Sequence, residues 1–186
     1  MPEPSIVRTG RLPRLPWKNG AGTTREVAIL PGGSGPDTFR WRLSLADIDE
    51  DAAFSTFHGT DRHFLVASAD TLTMDVDGVP RTASYGRTET FPGEADVSVR
   101  LSSGPVSVIN LITAGAYCTG DVSVERLDGP WIPHVNAVAL ALLDGTAWLD
   151  SGELLEPLDF LMCGPGTVGI QLKEALVATI SVFPET

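Results

Sequence analysis

Short runs in which every second residue is apolar, broken about every ten residues by Gly, Pro or Asp, constrain this chain more than any other feature of its sequence. Successive side chains of a strand point to opposite faces, so such a run buries one face and wets the other. Phe39-Arg40-Trp41-Arg42-Leu43-Ser44-Leu45 is the cleanest case, with Phe39, Trp41, Leu43 and Leu45 on one face. Thr71 to Val76 keeps the same period and ends at Asp77-Gly78, a dipeptide that favours a hairpin turn. Val97 to Leu101 and Val106 to Ile112 add two strands. The C-terminal third reads alike: Ala137 to Leu143, Ala147 to Asp150, Gly169 to Leu172 and Leu176 to Phe183, punctuated by Asp144-Gly145, Ser151-Gly152 and Gly164-Pro165-Gly166. This spacing predicts an all-β sandwich or barrel rather than βαβ units.

The 186 residues include 19 Gly and 14 Pro, a turn-rich composition that excludes a helix bundle. Ala46 to Ala53 is the sole helix candidate, acidic and too short to stand without tertiary support. Pro31 to Pro36, with three intervening glycines, reads as a surface loop between strands. A weak internal echo bears on domain organisation. Asp70 precedes Gly78 by the same interval as Asp144 precedes Gly152, and Pro92-Gly93 is answered by Pro165-Gly166. Each half closes on an apolar strand, so two related barrels are expected, residues 1–115 and a smaller 116–186, packed as one compact unit.

Acidic residues outnumber basic ones by 24 to 13, a net charge of −11 that repels phosphate backbones and anionic lipid surfaces. Neither nucleic acid nor membrane is an expected partner, and no apolar run approaches the roughly 18 residues of a spanning helix. Met1 to Ile6 lacks the basic and apolar regions of a secretory signal, so the expected location is the cytoplasm. Cys118 and Cys163 match no C-x-x-C pattern and read as buried thiols. A homodimer is compatible with all of this.

The richest segment is Leu15-Pro16-Trp17-Lys18-Asn19-Gly20-Ala21-Gly22-Thr23-Thr24-Arg25-Glu26. Asn19-Gly20 favours a tight turn, Gly22 permits close backbone approach, and Lys18, Thr23, Thr24 and Arg25 supply donors for an anion. It matches no P-loop. Asp47-x-Asp49-x-Asp51 imitates the start of a calcium loop, but Ala52 and His58 stand where Gly and Glu are needed, so it reads as a solvated acidic cap. His58, His63 and His134 form no H-x-H or H-E-x-x-H pattern, and the first two read as surface residues of a loop entering a strand. Neither a G-x-S-x-G elbow nor a Cys with a neighbouring His supports nucleophilic catalysis. The few cations, Lys18 and Arg25, then Arg40 and Arg42, then Arg62, could converge on one pocket for a carboxylate, whereas Arg40 and Arg42 could equally fill the polar face of a strand.

Three ordered segments, Trp17-Lys18-Asn19-Gly20-x-Gly22-Thr23-Thr24-x-Glu26, Trp41-Arg42-x-Ser44-x-Ala46 and Phe54-Ser55-x-Phe57-x-Gly59-x-Asp61-Arg62, resemble the HutD/Ves family. The closing Asn110-Leu111 and the overall length fit as well, so the resemblance covers nearly the whole chain. It implies a bicupin, two small jelly-roll barrels in one chain. It also implies a link to histidine utilisation, in which a pathway intermediate is bound and the pathway restrained rather than a step catalysed. Carried over residue by residue, the pocket draws on Lys18, Asn19, Gly20, Gly22 and Thr24, then Arg42 and Ser44, then Asp61 and Arg62, and finally Asn110. The chain departs from the family pattern at Ala21, where a third Gly is usual, and at Val108 and Thr113-Ala114, where an acid and a basic pair are usual.

The preferred reading is therefore a metal-free and cofactor-free protein that binds a small anionic metabolite of the formylglutamate, formiminoglutamate or urocanate class. Arg62 and Arg42 hold its carboxylate, Lys18 adds charge, and Asn19, Ser44 and Asn110 orient it. The alternative is a metal-independent hydrolase or isomerase of the same metabolites, with Asp61 or Glu26 as general base beside Lys18. A third reading, a protein-interaction module, rests on strand edges or the Asp47 to Asp51 segment.

Overall fold

The computed structural model describes residues 5–35, 38–68, 71–164 and 169–185. Its strands run β1 (Ser5–Val7), β2 (Leu15–Pro16), β3 (Gly22–Leu30), β4 (Trp41–Ile48), β5 (Ala52–Ala53), β6 (Thr60–Val66), β7 (Thr71–Val76) and β8 (Val79–Ser84). They continue as β9 (Thr88–Pro92), β10 (Val97–Leu101), β11 (Val106–Ala114), β12 (Cys118–Trp131), β13 (Ala137–Leu149), β14 (Leu154–Leu155), β15 (Phe160–Met162) and β16 (Ile170–Pro184). The fold is all-β, and no helix among the described residues is long and apolar enough to cross a membrane.

Alternation sorts the side chains of the N-terminal half onto two faces. A six-stranded sheet of order β2-β3-β4-β11-β6-β9 packs on a four-stranded sheet of order β5-β10-β7-β8. Ala46, Ile48, Phe64, Val66 and Val108 of the first sheet meet Leu72, Met74, Val76, Val97 and Val99 of the second in the barrel core. The opposite face of the larger sheet carries Leu43, Leu45, Leu65, Ile109 and Leu111, which pack against Val122, Ala139, Phe160, Ala178 and Ile180 of the C-terminal half. Each fully buried Leu, Ile or Phe contributes about 1.5–3 kcal/mol relative to exposure, so separating the halves would forfeit a whole core.

The C-terminal sheet has the order β1-β15-β13-β16-β12, with β14 on β13. Its long strands shift register between Leu127 and Gly129, and between Leu142, Asp144 and Thr146, and they close over a third core of Leu140, Leu142, Leu161, Leu172 and Val177. Two barrel interiors flanking a shared apolar junction make the bicupin jelly roll. The first strand of the chain joins the C-terminal sheet, with Ile6 opposite Leu161.

Several local expectations differ from the structure. Ala46 to Ala53 is not helical: Ala46 and Ile48 continue β4 into the barrel core, and burial of that alternation outweighs the acidic residues between them. The segments expected over 137–143 and 147–150 merge into the single strand β13, which ends at Leu149, and those over 169–172 and 176–183 merge into β16, which begins at Ile170. Asp144-Gly145 is therefore a bulge rather than a turn; Gly145 has φ +86°, and a Cβ there would strike the backbone of Glu174 and Ala175. β12 has no counterpart in the sequence reading. Asp70, Pro36 and the Pro165-Gly166 pair lie outside the described residues.

Candidate functional site

The inward face of the larger N-terminal sheet changes character along its length. Ile48 and Ala46 on β4 give way to Ser44 and Arg42; Val106 and Val108 on β11 give way to Asn110 and Ile112; Val66 and Phe64 on β6 give way to Arg62. The polar end opens into a cavity of about 390 Å³. Seven of the ten residues expected at the site line it: Lys18, Asn19, Thr24, Arg42, Ser44, Arg62 and Asn110. Trp17, Phe54, Phe57 and Ile112 contribute to its apolar wall.

Register fixes the polar row. Ile112 lies opposite Arg42 on one side and Arg62 on the other, so the two guanidinium groups enter the cavity two strands apart. Asn110 lies opposite Ser44 in the next row. Arg62 is only 6% exposed. Its Nη1 donates to the Ser55 carbonyl at 3.3 Å and its Nη2 to Asn110 Oδ1 at 3.4 Å, while the buried Nε has no partner. Its Cζ lies 5.0, 5.7 and 5.3 Å from the ring centres of Phe54, Phe57 and Phe91. No carboxylate among the described residues lies within ion-pair distance of it. Burial, reinforced by repulsion from Arg42, pushes the Arg62 guanidinium down to about 10, so it is still a cation at neutral pH. Arg42, by contrast, donates its Nε to Glu26 Oε2 at 3.1 Å.

The segment before β3 is a turn that carries Lys18 at the cavity mouth. Gly20 N–H donates to the Trp17 carbonyl at 3.0 Å, Ala21 N–H donates to Asn19 Oδ1 at 3.2 Å, and Trp17 Nε1 donates to Thr24 Oγ1 at 2.8 Å. The indole stands edge-on to Phe54, which ties the turn to the aromatic wall. Gly20 and Gly22 do not line the cavity. Gly20 takes φ +75°, which the turn requires, and a Cβ on Gly22 would strike the Asp47 carbonyl oxygen.

Asp61 also stands apart. It precedes Arg62 on β6, so its side chain points to the opposite face, where it is exposed. Glu26, the other carboxylate weighed as a general base, is engaged by Arg42. Arg40 is exposed and lies over the Tyr117 ring, outside the cavity.

Asp47 is not part of a solvated cap. It holds the buried Arg25 guanidinium and accepts the Ser107 hydroxyl at 2.7 Å. Nor is His63 a surface residue: it is buried on β6, with Nδ1 3.3 Å from Thr90 Oγ1, and burial lowers its pKa. His58 is exposed, and His134 pairs with Ser181 Oγ. Among the described residues no three His, Cys, Asp or Glu side chains cluster as metal ligands. Both cysteines are free and buried, and burial pushes the Cys163 thiol up to about 12, far from a reactive thiolate.

The aromatic cage around Arg62 was not among the expected site residues. Phe54 and Phe57 lie within the Phe-Ser-x-Phe segment just upstream of Arg62, and an aromatic pair so placed is a readable signal for a stacked guanidinium. Phe91 comes from β9, paired with Arg62 only through long-range register, and carries no local signal.

Comparison with known proteins places the chain among relatives. The HutD family profile matches residues 10–178. An uncharacterized 21.2 kDa protein in the hutC 3′ region of Pseudomonas putida is 42% identical over 115 residues, covering 61% of this chain and 60% of that protein. The chain thus spans about 60% of the length of the curated relatives it matches. A conserved protein of unknown function from Pseudomonas aeruginosa PAO1 superposes with a TM-score of 0.82 at 29% identity, covering 98% of this chain and all of that one. HutD from Pseudomonas fluorescens SBW25, solved in a formate condition, gives 0.81 at 28% identity, over 99% and 100% of the two chains.

Proposed function

We propose that this chain, which belongs to the HutD family, binds a small carboxylate in the aromatic-walled cavity of its N-terminal barrel and thereby regulates histidine utilisation in the cytoplasm. The observation that carries this reading is Arg62, a buried guanidinium with no carboxylate partner among the described residues and an unpartnered Nε. Removing an ion from water costs several kcal/mol, which an anion arriving from solution repays and three aromatic rings repay only in part. Formylglutamate, formiminoglutamate and urocanate all supply the required group. Arg62 takes the carboxylate, Arg42 and Lys18 add positive charge, and Asn19, Ser44 and Asn110 orient the rest of the ligand. The position of the P. putida relative in the hutC 3′ region supports the pathway assignment.

Two charge-assisted hydrogen bonds supply roughly 3–6 kcal/mol before ordering costs, which corresponds to dissociation constants from about tens of micromolar to several millimolar. The test is a thermal-shift series with formate, glutamate, histidine and the three candidate acids, with and without chelator, followed by calorimetry on the strongest. Selective stabilisation by one carboxylate, indifferent to chelator and absent in Arg62→Ala, is expected. A flat series, or unchanged binding to Arg62→Ala, overturns the assignment.

A further inference from the structure

Building on the carboxylate-binding reading above, we infer that Glu26 is a resident competitor for Arg42 and biases the cavity toward ligands with a single carboxylate. The two guanidinium groups of the cavity are not equivalent. Arg62 is buried without an ion partner among the described residues, whereas the Arg42 Nε is held by Glu26 Oε2 at 3.1 Å. Glu26 itself does not line the cavity; its side chain is 39% exposed and reaches Arg42 from the rim. Among the described residues Arg42 makes no other hydrogen bond, so both of its terminal nitrogens are available to a ligand.

A β-bulge puts Glu26 there. The β3–β4 register shifts between Glu26 and Ala28, which lets Val27 and Ala28 both pack on the junction core and leaves Glu26 opposite Ser44 on the cavity side. A first carboxylate can pair with Arg62 without breaking any existing ion pair. A second one directed at Arg42, the other guanidinium of the polar row, either shares it with Glu26, where like charges repel, or displaces Glu26, whereas the exposed Lys18 ammonium at the mouth offers only a solvent-screened pairing. A neutral polar end such as an amide meets Arg42, Ser44 and Asn110 without that cost.

Glutarate and its monoamide test this, because they have the same size and differ by one charge. Calorimetry at low salt on the intact chain is expected to show the wild type binding the monoamide at least as tightly as glutarate. Glu26→Gln is expected to tighten glutarate about fivefold while moving the monoamide less than about twofold, a gain that fades at high salt. Glu26→Ala, which cannot hold Arg42 at all, is expected to change in the same direction, and circular dichroism checks that both variants fold. Binding with an unchanged preference, or weaker glutarate binding in both variants, overturns the role of Glu26 and leaves the carboxylate reading standing. If neither acid binds any of the three proteins, the carboxylate reading falls and the inference falls with it.

Discussion

Arg62 and Arg42 face the same cavity from the two strands that flank Ile112, and among the described residues a carboxylate pairs with Arg42 but not with Arg62. Their mutual repulsion adds to the burial that pushes the Arg62 guanidinium down to about 10. A barrel built for stability alone would place an apolar side chain there, as it does one turn of the alternation further in at Phe64.

Arg62→Met therefore separates binding from folding. Methionine keeps the length of the stem against Phe54, Phe57 and Phe91 and removes the charge, and replacing buried ionic groups by apolar ones is often neutral or stabilising by 1–4 kcal/mol, roughly. Denaturant unfolding is expected to show stability unchanged or raised by about 1 kcal/mol, while carboxylate binding falls more than about tenfold. A loss of several kcal/mol would mean that the guanidinium serves the fold.

His63 predicts a pH dependence of stability. It is buried where β6 meets the C-terminal half, and a Cβ on Gly120 of β12 would lie 3.1 Å from its Nε2. Burial lowers its pKa, with Asp121 and Asp61 pulling weakly the other way. The unfolded chain takes up a proton near pH 6.5 while the native imidazole stays neutral. The stability tied to neutral His63 is thus fully present above about pH 6.5 and is lost as pH falls from there toward the lower folded value, by at most about 1.4 kcal/mol per pH unit. Unfolding curves between pH 7.5 and 5.5 are expected to slope down for the wild type and to flatten for His63→Asn.

Much of the fold follows from local alternation, and the exceptions share a cause. β7, β10 and the turn at Asp77-Gly78 stand where period and turn chemistry put them, because each decides its own register. β12 was illegible: Cys118, Val122 and Val124 alternate with polar residues only along part of its length, and its partner β16 lies some fifty residues further along the chain. The site divides similarly. Lys18, Arg42, Ser44 and Asn110 could be named from motif segments, but Asp61 belongs to the same segment as Arg62 and faces away, since neighbours on an unbulged strand point to opposite faces. The cage residue Phe91 depends on the β6–β9 pairing, which no local signal announces.

Gly20 and Gly22 carry the family motif through backbone geometry, and their alanine variants are expected to differ. At Gly20 nothing lies near a Cβ, so Gly20→Ala pays only for its φ of +75°, about 1 kcal/mol. At Gly22 the Cβ would meet backbone, the Asp47 carbonyl oxygen, and could be relieved only by moving β3 away from β4. Thermal unfolding is expected to show Gly22→Ala losing about 2–3 kcal/mol, with weaker ligand binding as Trp17 and Lys18 shift. Equal losses at the two positions would contradict this division.

Asp47 sets the sharpest stability prediction, because the acidic run around it looks dispensable in the sequence. Arg25 is 7% exposed, and its Nη2 is bound to Asp47 Oδ2, while the Ser107 hydroxyl donates to the other oxygen. Arg14 reaches the same carboxylate at 3.6 Å but is largely exposed and cannot substitute for it. Asp47→Ala leaves a buried guanidinium unpaired and Ser107 without its acceptor, a situation that typically costs about 3–5 kcal/mol. Asp49 is exposed, so Asp49→Ala is expected to stay within about 0.5 kcal/mol of wild type. The double variant Asp47→Ala with Arg25→Met removes the stranded charge and is expected to recover a large part of the loss. Chemical denaturation of the three variants checks this, and a double variant no better than Asp47→Ala would mean that Asp47 acts through Ser107 and the strand pairing rather than through Arg25.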